Sequence, residues 1–339
     1  MKAAVLTKFG KIENAFEIKE VPIPTLKDGQ VLIESEGFGL NYADIMAIQG
    51  DYEECPPLPT IIGYDCVGRI KETKGDCGNL KIGDRVTAMT RFGSYAEMVV
   101  AENSACAVIK EYYETGKAMA LTTQYSTAYY CFNEVASLFK GDKVLIHAAA
   151  GGVGTALVQM AVDRGCEIFG TCGSDEKVEY LKSLGVQHPI NYIKQDFYTE
   201  IKKIDKDFGI DAIFDAVGGS SAKKGFKLLG SGGKLILFGA ASMTGTNIFG
   251  KLGMVAGFGI YHPVQFMMAS KGIIGVNMLK IADDRPMVLK RCLEEVVKLL
   301  NAEAIQPKVS KVFPIVQLTE ALNYLKDRKS IGKVSILWK

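Results

Sequence analysis

The stretch from Lys143 to Asp163 limits the fold more than any other part of the chain. Lys143-Val-Leu-Ile-His-Ala148 reads as a short buried strand, Ala148-Ala-Ala150-Gly151-Gly152-Val153-Gly154 as a glycine turn, and Val153 to Asp163 as a helix. Strand, glycine turn and helix in that order are what a dinucleotide-binding unit requires. Gly151 would let the main chain approach a pyrophosphate, and Gly154 would let helix and strand pack closely. The helix N-terminus would add unpaired N–H groups and the positive end of its dipole. Ala148 holds the first glycine position of the strict G-x-G-x-x-G pattern, so the motif alone is weak, and a turn made only for packing is the competing reading. Its surroundings favour cofactor binding. Glu167 to Gly170, Asp211 to Val217 and Lys234 to Gly239 are further apolar strands, Glu176 to Leu184 is a helix, and Ile273 to Met278 adds a strand. Apolar strands alternating with helices imply an α/β fold, a doubly wound parallel sheet covered on both faces. Of the 36 glycines, 23 fall between residues 141 and 275, which ties the glycine excess to strand-end turns and close backbone approach.

The next question is which nicotinamide cofactor such a turn would hold. NAD sites place a carboxylate on the ribose hydroxyls about 20 residues beyond the turn. Here that region reads Gly170-Thr171-Cys172, with no acid, and Asp175 and Glu176 open the next helix, where acids suit the dipole. Lys177 lies in the same first turn, where a lysine is electrostatically unfavourable unless an anion binds. A bound 2′-phosphate would reverse that sign. The missing acid and the lysine together point to NADPH, against the plainer reading of a solvated surface lysine.

The first ~100 residues read as strands and turns, with β-prone runs at Val31 to Glu34 and Arg85 to Met89. After Pro286, Met287 to Leu300 is a helix with apolar residues at helical spacing. Leu318 to Lys326 forms another helix, before a last strand from Lys333 to Leu337. Forty Lys and Arg against 38 Asp and Glu leave a formal charge of +2, which excludes a nucleic-acid partner dependent on a basic face. Eight cysteines without a C-x-x-C pair argue against a structural zinc lobe and fit the reduced, buried thiols of a cytoplasmic protein. Two charge-free stretches occur, Val144 to Val162 and Leu252 to Ser270. The first is the glycine turn and its helix; the second is broken by glycines, His262, Pro263 and Gln265. No integral membrane segment is expected.

Gly63-Tyr-Asp-Cys-Val-Gly68, Lys81-Ile-Gly-Asp-Arg-Val86, the turn from Ala148 to Gly154 and Ile331-Gly-Lys-Val334 resemble the medium-chain dehydrogenase/reductase superfamily, in its zinc-free quinone oxidoreductase branch. Gly39-Leu-Asn-Tyr-Ala-Asp44, Pro57-Leu-Pro59, Gly218-Gly219-Ser220 and Gly275-Val-Asn277 most resemble the vesicle amine transport protein homologues within it. The resemblance covers essentially the whole chain. It implies a Rossmann sheet inserted into a GroES-like β-barrel catalytic domain, with residues 1–121 and 283–339 catalytic and 122–282 binding NADP. It also implies a homodimer, paired through the strand matching Ile273 to Met278. Zinc alcohol dehydrogenases carry Cys and His-Glu ligands where this chain has Asn41 and Tyr64-Asp65, so no catalytic metal is expected.

Carried over residue by residue, Asn41 and Thr127 match positions that approach the nicotinamide, and Tyr52 a tyrosine of the substrate pocket. Ala150, Gly151, Gly152, Val153 and Gly154 match the pyrophosphate turn. Lys177 and Tyr192 match holders of the 2′-phosphate, with Ser174 able to add a hydroxyl. Val217, Phe238, Gly239 and Asn277 match later cofactor contacts. Asn41 stands out on physical grounds, because a short amide within an apolar segment needs a polar partner. Asp44 reads as a structural cap.

Without a metal, the acceptors best suited to hydride are quinones and α,β-unsaturated carbonyls, in which the developing charge is delocalised. Tyr52, Tyr42 or Asn41 could donate to them. The apolar stretch from Ile248 to Ser270, with Phe249, Phe258, Tyr261, Phe266, Met267 and Met268, reads as either a substrate lid or a dimer contact. Three functions stay open: an NADPH-dependent quinone or enone reductase, a zinc alcohol dehydrogenase, and an NADPH-binding regulatory or membrane-associated protein with little turnover.

Overall fold

The computed structural model describes residues 1–206, 209–239, 253, 257–259 and 261–339. Contacts divide the chain into two compact units. The first comprises Met1–Ser126, Met278–Glu303 and Pro307–Lys339, the second Thr127–Asn277 and Ala304–Gln306.

The N-terminal part of the first unit runs through β1 (Lys2–Leu6), β2 (Phe16–Glu20), β3 (Gln30–Leu40), α1 (Tyr42–Gln49), β4 (Asp65–Lys74), β5 (Arg85–Met89), β6 (Met98–Glu102) and β7 (Cys106–Val108). Short helices at Thr115–Ala118 and Ser126–Tyr129 alternate with wider π-helical turns at Leu121–Tyr125 and Tyr130–Ala136, which cross into the second unit. Tyr125 N donates to Ala120 O at 3.0 Å and Ser137 N to Phe132 O at 3.1 Å, the five-residue spacing that widens the helix.

The second unit contains β8 (Lys143–Ile146), α2 (Gly152–Arg164), β9 (Glu167–Cys172), α3 (Asp175–Ser183), β10 (His188–Asn191) and α4 (Phe197–Ile204). It continues through β11 (Ile210–Asp215), α5 (Ser220–Leu228), β12 (Leu229–Leu237), α6 (Pro263–Ala269) and β13 (Gly272–Gly275). The chain ends in α7 (Met278–Asp284), α8 (Pro286–Asn301), β14 (Val309–Pro314), α9 (Leu318–Lys326) and β15 (Lys333–Leu337).

In the first unit the main sheet runs β14-β15-β3-β4-β5-β7, with β6 also paired to β3. Long β3 serves three partners. Val31 and Ile33 pack with Ile70, Val86, Ala88 and Val99 in the barrel core. The C-terminal strand is therefore integral to this sheet, since Val334 to Leu337 pair antiparallel with Leu40 to Gly37.

In the second unit all six strands are parallel, in the order β10-β9-β8-β11-β12-β13. The order reverses between β8 and β11, which creates a crevice beyond their carboxyl ends. Leu145, Phe169, Ile190, Ile213 and Leu235 form the core beneath it. This is the doubly wound parallel sheet that the strand–helix alternation implies. Among the described residues no helix is long and apolar enough to cross a membrane. Phe249, with residues 248–252, lies outside the described residues. Phe258 packs against the sheet core, and Tyr261 and Phe266 lie against Phe226, whereas Met267 and Met268 are exposed.

Candidate active site

The glycine turn lies at the switch point of the second unit. Gly151 is the N-cap of α2, its N–H donating to Ala148 O at 2.8 Å, and Ala149 N reaches across to Thr171 O at 2.9 Å. A Cβ on Gly154 would sit 2.2 Å from Ala148 O and 2.7 Å from Ala149 Cα, so only glycine lets α2 start this close to β8. Ala148 takes φ +52°, the left-handed conformation that explains why glycine suits this position; alanine adopts it at a strain of about 1 kcal/mol. The start of α2, through Gly152 and Val153, leaves backbone donors without intrahelical acceptors. Beside it, His147 Nδ1 meets Thr171 Oγ1 at 3.0 Å and ties the ends of β8 and β9 together.

Across the switch point, β11 ends in Asp215, which the sequence reading did not single out. Its Oδ1 accepts the N–H groups of Val217 (2.6 Å) and Gly218 (2.9 Å), and its Oδ2 accepts Ser221 Oγ at 3.1 Å. This carboxylate shapes the 216–219 turn and so positions Val217. Phe238 N donates to Asp215 O at 3.1 Å, and a Cβ on Gly239 would approach Ala216 O to 2.9 Å, which brings the β12 exit against the same turn. Asn277 is exposed, just past β13.

At the β9 end, Ser174 caps α3 by accepting Lys177 N at 3.3 Å. Tyr192 is 40% exposed, and its hydroxyl would meet a Cβ on Gly173 at 2.6 Å, so it lies over the β9–α3 turn. Ser174, Lys177 and Tyr192 are thus brought together. Asp175, which opens α3, is engaged elsewhere: Lys194 Nζ contacts its Oδ2 at 2.5 Å and Asn191 Nδ2 donates to its Oδ1 at 2.9 Å. Both carboxylate oxygens of Asp175 are thus engaged, beside a lysine, a tyrosine and a serine.

The first unit holds a buried polar cluster. Asn41 is the N-cap of α1, its N–H donating to Asp44 Oδ2 at 2.7 Å. Asn41 Nδ2 donates to Asp65 Oδ2 at 2.6 Å and Asn41 Oδ1 accepts Lys333 Nζ at 3.0 Å. Lys333 also pairs directly with Asp65, both fully buried. The other oxygen of Asp65 accepts Thr122 Oγ1 at 2.6 Å, Thr123 N at 3.0 Å and the Thr123 hydroxyl. Gly39 makes this possible, because a Cβ there would sit 2.3 Å from Lys333 Cε and 2.7 Å from its amine. The motifs from Gly39, Gly63 and Ile331 thus converge on one ion pair. The amide of Asn41 finds the partner it needs, and Asp65, Lys333, Thr122 and Thr123 are the site residues that sequence reasoning missed. Tyr52 is half-buried, its ring edge-on to Tyr64 (6.3 Å between centroids) and to Phe92 (6.4 Å). Thr127, in the second unit, is buried in the Ser126–Tyr129 helix.

A zinc ion does not fit this cluster. Both oxygens of Asp65 are occupied by hydroxyls, an amide and an ammonium group, and the neighbouring Cys66 packs in the apolar core of the barrel. Among the described residues no three His, Cys, Asp or Glu side chains are grouped to hold a metal.

Residues 27–119 match the alcohol dehydrogenase GroES-like domain and residues 152–294 the zinc-binding dehydrogenase family. The synaptic vesicle membrane protein VAT-1 homolog of Rattus norvegicus is 32% identical over 346 residues, covering 99% of this chain and 84% of the rat protein. A mycobacterial protein solved in complex with NADPH is 26% identical with a TM-score of 0.86, covering 99% of each chain. The CurK enoyl reductase is 25% identical with a TM-score of 0.85, covering 99% of this chain and 98% of its own. An Escherichia coli quinone oxidoreductase complexed with NADPH shares the fold at 21% identity and a TM-score of 0.86, covering 99% of this chain and all of its own. With both halves of its sequence matched and a relative this similar along nearly its whole length, the chain belongs to the medium-chain dehydrogenase/reductase superfamily, beside the VAT-1 homologues.

Proposed function

We propose that this protein is a zinc-independent, NADPH-dependent reductase that delivers hydride to a quinone or an α,β-unsaturated carbonyl. The observation that carries the reading is the end of β9, where Lys177, Tyr192 and Ser174 gather while Asp175 is held by Lys194 and Asn191. The NADPH found with the mycobacterial relative supports it, and the CurK enoyl reductase supports the acceptor class.

In this reading Ala150, Gly151, Gly152, Val153 and Gly154 hold the pyrophosphate, and Lys177 and Tyr192 hold the 2′-phosphate. Val217, Phe238, Gly239 and Asn277 line the path towards the nicotinamide. When bound, NADPH supplies the hydride. Asn41 and Thr127 orient the reacting end, and Asn41 does so with an amide locked by Asp65 and Lys333, so it is not free to rotate away. The Tyr52 hydroxyl donates to the acceptor oxygen, and its partly apolar wall of Tyr64 and Phe92 suits a ring or an alkene.

The test is NADPH oxidation against a panel of quinones and enones, repeated with NADH. We expect turnover of at least one acceptor and a kcat/KM for NADH at least ~10-fold lower. Tight NADPH binding with every acceptor left unreduced would favour a binding protein, as the VAT-1 likeness allows; equal use of NADH would remove the NADPH assignment.

We also propose a homodimer joined through β13. This four-residue strand closes one edge of the six-stranded sheet, and among the described residues it pairs only with β12. Sedimentation equilibrium should give twice the 36.8 kDa chain mass; a single-chain mass would contradict it.

A further inference from the structure

The first unit contains a group of buried polar atoms for which the reductase reading has no use. Asp44 Oδ1, Tyr64 Oη, Ser94 Oγ and Tyr95 Oη make no well-formed hydrogen bond among the described residues, although the Tyr95 hydroxyl faces the Asp44 carboxyl and the Tyr52 hydroxyl faces that of Tyr64. Asp44, Ser94 and Tyr95 are fully buried and Tyr64 nearly so. They adjoin one another. A Cβ on Gly63 would lie 2.3 Å from both Ser94 Oγ and Tyr95 Cδ1, Tyr64 follows Gly63 directly, and the Tyr64 ring meets Tyr52. Buried polar atoms are nearly always satisfied, and where side chains fail to do so internal water takes their place.

Asp44 is the titratable member. Burial pushes its carboxyl up to about 7, opposed by the Asn41 N–H, by Lys333 on β15 and by the Tyr95 hydroxyl, and reinforced by Asp65 on β4. Tyr52, Tyr64, Tyr95 and Cys55 all lie within its electrostatic reach. As an N-cap partner it needs only Oδ2, which accepts from Asn41; Oδ1 is left over and can carry a proton.

We propose that Asp44 stores the proton consumed by the reduction and passes it to Tyr52 through Tyr95, Tyr64 and internal water. The proposal rests on the reductase reading above. An enone that has accepted hydride at its β-carbon is an enolate; its oxygen takes the proton of the Tyr52 hydroxyl, and the enol so formed tautomerises in water to the saturated ketone. The Tyr52 phenolate is reprotonated along the relay by the Asp44 carboxylic acid, which becomes the carboxylate and regains a proton from solvent. Asp44 never touches the acceptor. It acts through Tyr52.

The test compares wild type, Asp44→Asn and Tyr64→Phe. Asparagine keeps the oxygen that caps α1, and phenylalanine keeps the ring packing. In the wild type the infrared C=O stretch of a protonated carboxylic acid should fade between about pH 6 and 8 and be missing from Asp44→Asn, with kcat falling over the same range. Asp44→Asn should lower kcat for an enone ~10–100-fold and flatten that pH profile, while KM and NADPH affinity stay within about twofold. Tyr64→Phe should lower kcat similarly and retain the infrared band. If the wild type reduces no acceptor, the reductase reading fails before any variant is made. If it turns over and Asp44→Asn keeps the wild-type pH profile, or the infrared band never appears, the relay alone is overturned.

Discussion

Replacing Lys177 by alanine is expected to raise the Kd for NADPH about 10–100-fold while leaving that for NADH within about twofold. The figure corresponds to one or two charge-assisted hydrogen bonds to a phosphate, each worth about 1.5–3 kcal/mol before screening. Lys177 stands third in α3, where a cation opposes the helix dipole, and that opposition turns favourable once a dianionic group binds beside it. Its neighbours agree: Ser174 caps the same turn, and the Tyr192 hydroxyl lies against Gly173. Asp175, two residues before Lys177, is paired with Lys194. Titration by quenching of cofactor fluorescence measures both constants, and the NADPH advantage should shrink with added salt. Equal losses for the two cofactors would mean that Lys177 supports the helix and does not read the 2′-phosphate.

Lys333→Met should lower the unfolding free energy by about 3–5 kcal/mol, the usual result of leaving one partner of a buried ion pair without the other. For a unit of this size that is a drop in Tm of about 10 °C. Asp65 retains Asn41, Thr122 and Thr123 as donors, which limits the loss but cannot replace an ammonium group. The double variant Asp65→Asn/Lys333→Met removes both charges and should recover a large part of the stability, because no bare charge then remains. Differential scanning calorimetry checks both, and the double variant separates charge pairing from simple packing. Since Lys333 and Asp65 also fix the Asn41 amide, the single variant should lose reductase activity beyond what unfolding explains. A Tm within about 2 °C of wild type would contradict the assignment of this pair as the anchor of the cluster.

Much of the second unit was legible in the sequence because its strands are buried on both faces and read as unbroken apolar runs bounded by glycines. The helix expected over Leu318 to Lys326 and the strand over Lys333 to Leu337 appear with those same bounds. Strand β10 was hidden: His188-Pro-Ile-Asn191 is short, half polar and carries proline, which only an edge strand tolerates. Helix α1 was hidden for the opposite reason. Tyr42-Ala-Asp-Ile-Met-Ala-Ile-Gln49 lies among apolar neighbours with little polar face, so no helical periodicity marks it. In the candidate site, Asn41 could be singled out from chemistry, since a buried amide demands a partner. Its partners could not. Lys333 and Asp65 are 268 positions apart, and only the pairing of β15 with β3 and of β3 with β4 brings them together across Gly39. Asp215 was missed similarly, because a carboxylate that shapes its own turn leaves no spacing pattern beyond an acid at a strand end.

Hydride transfer is read most plainly by following the hydride itself. NADPH carrying deuterium at the C4 position should be incubated with the purified protein and an acceptor identified in the panel, and the reduced product examined by mass spectrometry and proton NMR. For an enone, hydride transfer from the cofactor should leave one deuterium at the β-carbon and a solvent-derived proton at the α-carbon. A product without deuterium, or NADPH retained intact in a stable complex with every acceptor tried, would contradict it.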